Sequence, residues 1–167
     1  MTLNEFNQLT VADAISELYA CCHCTAWAET VEKLRPFTAI EKLLYAAKTL
    51  WQQATEAHIL EAFSGHARIG DIELLRSRYA GNATAEQGQV MQASEEVLRE
   101  LHQLNIEYEA RYGFIFIVCA TGKSAEEMLA LLKARINNGR AIELLNGAAA
   151  QGEITQLRLK KLFAESI

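Results

Sequence analysis

Four places in the chain hold side chains whose type and spacing could do chemistry. His66 stands in Gly65-His66-Ala67-Arg68-Ile69-Gly70, in a loop-rich stretch and not on an apolar helix face. An imidazole with an ordinary pKa of about 6.5 suits proton transfer near neutrality. A solvated or purely structural loop histidine would look the same. Glu86-Gln87 lies where a long helix begins, and the helix dipole alone accounts for a glutamate there. Arg158, between Leu157 and Leu159 and ahead of Lys160-Lys161, offers charge-assisted hydrogen bonds to an anion; a solvated basic face explains it equally. Cys21-Cys22-His23-Cys24 invites a metal or redox reading. A structural zinc site needs a second ligand pair, and Cys119, His58, His66 and His102 supply none. Redox CxxC motifs follow a strand in a βαβ unit, which is missing, so small core residues at a helix end are the simpler assignment. Walker, Rossmann, nucleophile-elbow and HExxH signatures are all absent.

The elements that must position these groups are helices. Ala and Leu dominate the apolar set, Asp occurs only at positions 13 and 71, and Pro36 is the one proline. Ala, Leu, Glu, Gln, Lys and Arg are the strong helix formers. The patterning predicts helices over Leu3–Leu9, Val11–Cys22 and Trp27–Leu34, the last ended by Pro36. Thr38 with Glu41 has capping-box spacing ahead of the face formed by Ile40, Leu43, Leu44, Ala47, Leu50 and Trp51. Thr55 caps a short helix carrying Ile59, Leu60 and Phe63. Thr84 with Gln87 opens the longest helix, whose heptad-like stripe is Val90, Val97, Leu101, Leu104 and Tyr108, and Gly113 ends it. Ser124 with Glu127 caps a helix through Ile136, and Asn137-Asn138-Gly139 breaks it. Arg140 to about Ala164 reads as one or two helices, interrupted near Gly147 or Gly152.

One stretch does not fit. Phe114 to Ala120 is apolar and extended, with no strand partner in the sequence. Its amides and carbonyls must be satisfied by something else, either a polar ligand or side chains around a buried connector.

Length and composition narrow the class. At 167 residues the chain is the size of one domain, expected over 1–167. Half the residues are hydrophobic and 22% are charged, which excludes a disordered polymer. No apolar run is long enough to span a bilayer, and neither a basic leader nor a peroxisomal ending is visible. The expectation is a cytoplasmic protein with reduced thiols. A net charge of -5 disfavours a general nucleic-acid binder.

Taken in order, the motifs resemble those of the OHCU decarboxylases (2-oxo-4-hydroxy-4-carboxy-5-ureidoimidazoline decarboxylases) of urate degradation. The residues that carry the resemblance span nearly the whole chain. They are Phe6-Asn7, Trp27-Ala28, Arg35-Pro36-Phe37, His66 to Gly70, Glu86-Gln87, Leu104-Asn105 to Tyr108 and Arg111, Gly113-Phe114 to Cys119-Ala120, and Ile154 with Leu157-Arg158-Leu159. The family's histidine loop usually reads His-Pro-x-Ile-Gly. Here Ala67 replaces the proline and removes one rigid apolar wall, and Ala83 stands where the family often has serine.

The resemblance implies an all-α, single compact multi-helix domain in which one extended apolar segment lines the active site. It implies a lyase of purine metabolism that needs neither cofactor nor metal, acts as a homodimer, and releases carbon dioxide from the ureidoimidazoline acid to give (S)-allantoin. By the same resemblance His66 and Glu86 are catalytic. Ala67, Ala83, Thr84, Ala85, Glu86, Gln87, Phe116, Ile117, Val118, Cys119, Ala120 and Arg158 contact the substrate. A carboxylate beside His66 would favour the imidazolium, and backbone amides from Phe116 to Ala120 would act as an oxyanion hole does. The contrasting reading is a noncatalytic helical interaction module that uses the Val90-to-Tyr108 stripe to bind a partner.

Overall fold

The computed structural model describes residues 1–66 and 88–164; of the side chains of 88–94 nothing is described. The expected positions Ala67 and Ala83 to Gln87 therefore lie outside the described residues, as does the side chain of the stripe residue Val90. Among those described the secondary structure is all helical, in eight helices. They are α1 (Leu3–Gln8), α2 (Val11–Cys21), α3 (Thr25–Glu32), α4 (Ile40–Gln52), α5 (Glu56–Ser64), α6 (Gly88–Tyr112), α7 (Ala125–Arg135) and α8 (Arg140–Leu162). No helix among the described residues is long and apolar enough to cross a membrane. The chain forms two compact units. Residues 1–66 and 148–164 belong to the first, and 88–147 to the second.

In the first unit, hydroxyl side chains start the helices. Thr2, Thr10 and Thr55 accept from the amides of Glu5, Asp13 and His58, each satisfying a donor that the first turn leaves without a partner. Two helices start otherwise. The N-cap of α4 is Ala39 with no side-chain bond, so the capping box expected from Thr38 and Glu41 does not form. At α3 the N-cap is Cys24, and Glu61 from α5 accepts from both the amide and the hydroxyl of Thr25, at 3.0 and 2.9 Å.

Two motifs carried by the resemblance have structural work in this unit. Asn7 and the backbone of Phe37 exchange two hydrogen bonds, at 2.8 and 2.9 Å. Arg35 donates to the carbonyls of Phe6 and Leu9 at the end of α1 and pairs with Glu32 at 2.8 Å. A cation at a helix C-terminus also meets the negative end of the dipole. The core below is apolar: Phe6, Leu18, Leu43, Phe63, Leu159 and Phe163 are all fully buried, with Phe6 and Phe163 edge to face at 5.6 Å. Each such side chain contributes roughly 1.5–3 kcal/mol on burial.

The second unit is built on α6 packed against α7. Leu98, Leu101, Asn105, Tyr108 and Tyr112 repeat at helical spacing and are buried; of the expected stripe Leu101 and Tyr108 belong to this core, whereas Val97 and Leu104 are only half-buried, so the buried face is turned from the one expected. Gly113, at φ 79°, ends α6 as expected, since only glycine adopts that conformation without strain. Residues 115–120 are neither helix nor strand. Thr121-Gly122 turns, Ser124 caps α7 through the amide of Glu127, and Gly139 at φ 93° precedes α8.

The last helix runs unbroken from Arg140 to Leu162. The break considered near Gly152 is absent because that glycine has a packing role: a Cβ there would lie 3.2 Å from Trp51 Cδ1. The Trp51 indole donates to the Ala148 carbonyl at 2.8 Å, which docks α4 closely on α8.

Candidate active site

His66 follows the end of α5, where Gly65 closes the last turn and the His66 amide donates to the Phe63 carbonyl at 3.1 Å. The glycine before it is required by a close approach. A Cβ on Gly65 would fall 1.7 Å from Nδ1 of His23, so the two segments touch there only because position 65 lacks a side chain. His23 in turn packs edge to face on Tyr19 at 4.7 Å.

The imidazole of His66 is half-buried and its Nε2 is hydrogen-bonded to Oε1 of Gln151 in α8. Gln151 is fully buried. Its Nε2 donates to Thr155 Oγ1 at 3.0 Å, and the Thr155 hydroxyl lies 2.9 Å from the Gln151 carbonyl one turn back. One turn further on, Arg158 Nη1 donates to the Cys21 carbonyl at 3.2 Å. Arg158 therefore points inward to the end of α2, unlike the solvated basic face that its neighbours Lys160 and Lys161 suggest. Burial holds the His66 pKa below the ordinary histidine value. The bond to Gln151 opposes that shift, while the positive charges of Arg158 and His23 reinforce it. Among the described residues, the environment favours a neutral imidazole.

The cysteine cluster has no part in this chemistry. Cys21, Cys22 and Cys24 are buried and free. Burial pushes the Cys21 thiol up to about 11 and the Cys22 thiol up to about 12, so the reactive thiolate that a redox reading needs is not formed.

In the second unit the irregular segment is held by cationic side chains. Arg135 Nη1 donates to the Ile117 carbonyl at 2.9 Å, its guanidinium lies 4.6 Å from the centre of the Phe116 ring, and Lys123 Nζ donates to the Cys119 carbonyl at 2.7 Å. Arg135 is anchored by Glu143, a fully buried carboxylate that also accepts from Tyr108, Asn138 and Asn146 at 2.6, 2.9 and 2.8 Å. Burial pushes the Glu143 carboxyl up, but the four donors together hold it below the usual carboxylate range. Burial first and then the Glu143 carboxylate push the Tyr108 phenol up, against the opposing charge of Arg135.

The structure thus sets His66 and Arg158 under one another's influence in the first unit and places Phe116 to Ala120 in the second. Sequence reasoning did not single out Gln151, Thr155, Arg135 or Glu143. The signal for the first two was the 4-then-3 spacing of Gln151, Thr155 and Arg158, which puts them on one helix face. Among the described residues, the lining of a groove of about 550 Å³ between α4 and α8, which includes Ala47, Trp51, Gly152 and Gln156, contains neither His66 nor Arg158.

A family model for OHCU decarboxylase matches residues 7–160. The chain belongs to the OHCU decarboxylase family. It is 35% identical over 153 residues to the Arabidopsis thaliana uric acid degradation bifunctional protein TTL, covering 89% of this chain and 47% of that protein. The chain thus spans about half the length of that relative. It is 25% identical to a Haloferax volcanii 2-oxo-4-hydroxy-4-carboxy-5-ureidoimidazoline decarboxylase, over 98% of this chain and 97% of the relative. A crystal structure of an OHCU decarboxylase in the presence of (S)-allantoin superposes with a TM-score of 0.73 at 34% identity, covering 89% of this chain and 97% of that one. A crystal structure of (S)-allantoin synthase, 19% identical, shares the fold at a TM-score of 0.71, over 96% of this chain and 53% of that one.

Proposed function

We propose that this OHCU decarboxylase converts 2-oxo-4-hydroxy-4-carboxy-5-ureidoimidazoline to (S)-allantoin and carbon dioxide, with His66 moving the proton. The observation that carries the reading is the family match across residues 7–160. The chemistry suits the residues. As the carboxylate leaves, its electron pair enters the ring through the neighbouring C=N, so the substrate is its own electron sink and asks for no cofactor. The former imine nitrogen takes one proton from water, the ring hydroxyl gives up its proton and becomes a carbonyl, and the adjacent carbon takes one proton on a single face, so that one proton is consumed overall. A neutral imidazole can accept the hydroxyl proton and return it to that carbon.

In this reading Glu86 assists His66 by a hydrogen bond to it or to the substrate hydroxyl. Arg158 makes a charge-assisted bond to a substrate oxygen. Amides from Phe116 to Ala120 stabilise developing negative charge, and Ala67 and Ala83 to Gln87 complete the contacts. The two units together form one catalytic domain, working in the cytoplasm as a homodimer; light scattering on the purified protein tests the last point.

The decisive assay generates the substrate freshly from urate with an oxidase and a hydroxyisourate hydrolase, then follows circular dichroism as allantoin forms. The chain should speed the appearance of one enantiomer. His66→Asn should lose roughly 10²–10⁴-fold in kcat, the usual size of a general acid–base contribution, and Arg158→Ala should chiefly raise KM. An unchanged trace with the parent protein rejects the decarboxylase reading, and a fully active His66→Asn rejects the role of His66.

A further inference from the structure

We propose that Gln151 is a positioning residue that fixes His66 in the tautomer protonated at Nε2, leaving Nδ1 as the atom that exchanges a proton with the substrate. The inference rests on the decarboxylase reading and deepens it. The Thr155 hydroxyl lies 2.9 Å from the Gln151 carbonyl, in the geometry of a side chain donating back to the i−4 carbonyl. With its hydrogen given to that carbonyl or to the Cys21 carbonyl at 3.5 Å, Thr155 Oγ1 is left as an acceptor for the Gln151 amide at 3.0 Å. That fixes which end of the amide is NH₂, so Oε1 is the atom facing the imidazole. An amide oxygen only accepts, and His66 must therefore donate from Nε2. In a neutral ring the lone pair then sits on Nδ1, which has no hydrogen-bond partner among the described residues, and of the two partners proposed for Glu86 only the substrate hydroxyl is compatible with it.

The arrangement is built to be stiff. Gln151 is fully buried and Thr155 nearly so, and a turn of helix rather than a loop holds both. The groups acting on the ring charge are Arg158 from α8 and His23 from the segment after α2, both positive or able to be, and both favour the neutral ring. The thiols of Cys21 and Cys22 beside Arg158 stay protonated and add no charge. An amide acceptor suits that setting, because a carboxylate in its place would hold the imidazolium instead.

The test uses the full chain labelled with ¹⁵N at histidine, with His66→Asn identifying one signal among the four histidines. The parent should show a protonated Nε2 and a bare Nδ1. Gln151→Leu should mix the tautomers and lower kcat roughly tenfold or more, a part of the general acid–base contribution, with KM changed far less. Gln151→Glu should move the onset of imidazolium and the acid limb of the kcat profile upward together. Thr155→Val should give a smaller change in the same direction as Gln151→Leu. Should Gln151→Leu not fold, Gln151→Glu, which keeps the shape, carries the test. An Nδ1-protonated parent, or Gln151 variants with the parent tautomer, kcat and profile, would overturn the proposal. If the tautomer behaves as stated while His66→Asn remains fully active, the positioning stands and the decarboxylase role of His66 is what fails.

Discussion

Helix α8 carries two buried polar clusters two turns apart, and they are built on opposite principles. At Glu143 a carboxylate meets Arg135, Tyr108, Asn138 and Asn146, and its charge is met inside the second unit, with Nη2 of Arg135 in the ion pair but without a hydrogen bond among the described residues. At Gln151 a neutral amide meets Thr155 on one side and His66 on the other, and the second ring nitrogen has no partner among the described residues. The ionic cluster holds structure: through Arg135 it pins the carbonyl of Ile117 and covers Phe116. The neutral cluster holds orientation without imposing charge, and so leaves an imidazole able to react. A carboxylate held by four partners is fixed in place, whereas a neutral imidazole oriented by an amide keeps a nitrogen able to take a proton.

The largest expected effect breaks the ionic side. Glu143→Ala strands a buried guanidinium and three donors and should cost about 3–5 kcal/mol in urea unfolding. Gln151→Leu removes no charge and should cost about 1–3 kcal/mol, the penalty for leaving neutral buried groups unpaired. Equal losses would erase the contrast drawn here.

Gly65→Ala comes next, because the added methyl cannot coexist with His23 as placed. A loss of about 1–3 kcal/mol is expected from overpacking, together with a fall in kcat as the turn carrying His66 shifts. An active variant of parent stability would show that the contact between His23 and Gly65 is dispensable.

Acid separates the clusters by window. Glu143 has a lowered pKa when folded, so its contribution is complete above the unfolded value near 4.3 and is lost as pH falls through the folded value. His66 also has a lowered folded pKa, so the unfolded chain takes the proton first, and stability declines from about pH 6.5 down to the folded value. Unfolding curves across pH should show both slopes in the parent. Glu143→Gln should remove the lower one and His66→Asn the upper.

The smallest effect sharpens the structural account of α8. Trp51→Phe keeps the ring against Gly152 and loses the bond to Ala148, which should cost about 0.5–1.5 kcal/mol with little change in kcat.

Much of the frame was legible in the sequence because its signals are local. Thr10, Thr55 and Ser124 cap helices where their spacing says so, and Gly113 and Gly139 end or precede helices at positive φ. Thr38 misled because a hydroxyl three before a glutamate is only permissive; the chain enters α4 one residue later, at Ala39. Gly152 misled in the opposite way, since a glycine that admits Trp51 looks the same as one that stops a helix. His66 and Arg158 of the candidate site could be singled out in the sequence through their motifs. Gln151 could not, because glutamine in an alanine-rich helix reads as a helix former and its partner lies 85 positions away. Glu143 was hidden by its place in a first turn, where the dipole already accounts for an acid.

The central claim is that His66 works as a neutral imidazole presented by α8, and the pH dependence of kcat for allantoin formation tests it most directly. The account predicts a plateau through pH 7 that falls only below about 6.5 and is absent in His66→Asn. A kcat that rises on acidification through that range, as a reaction needing the imidazolium would give, contradicts it.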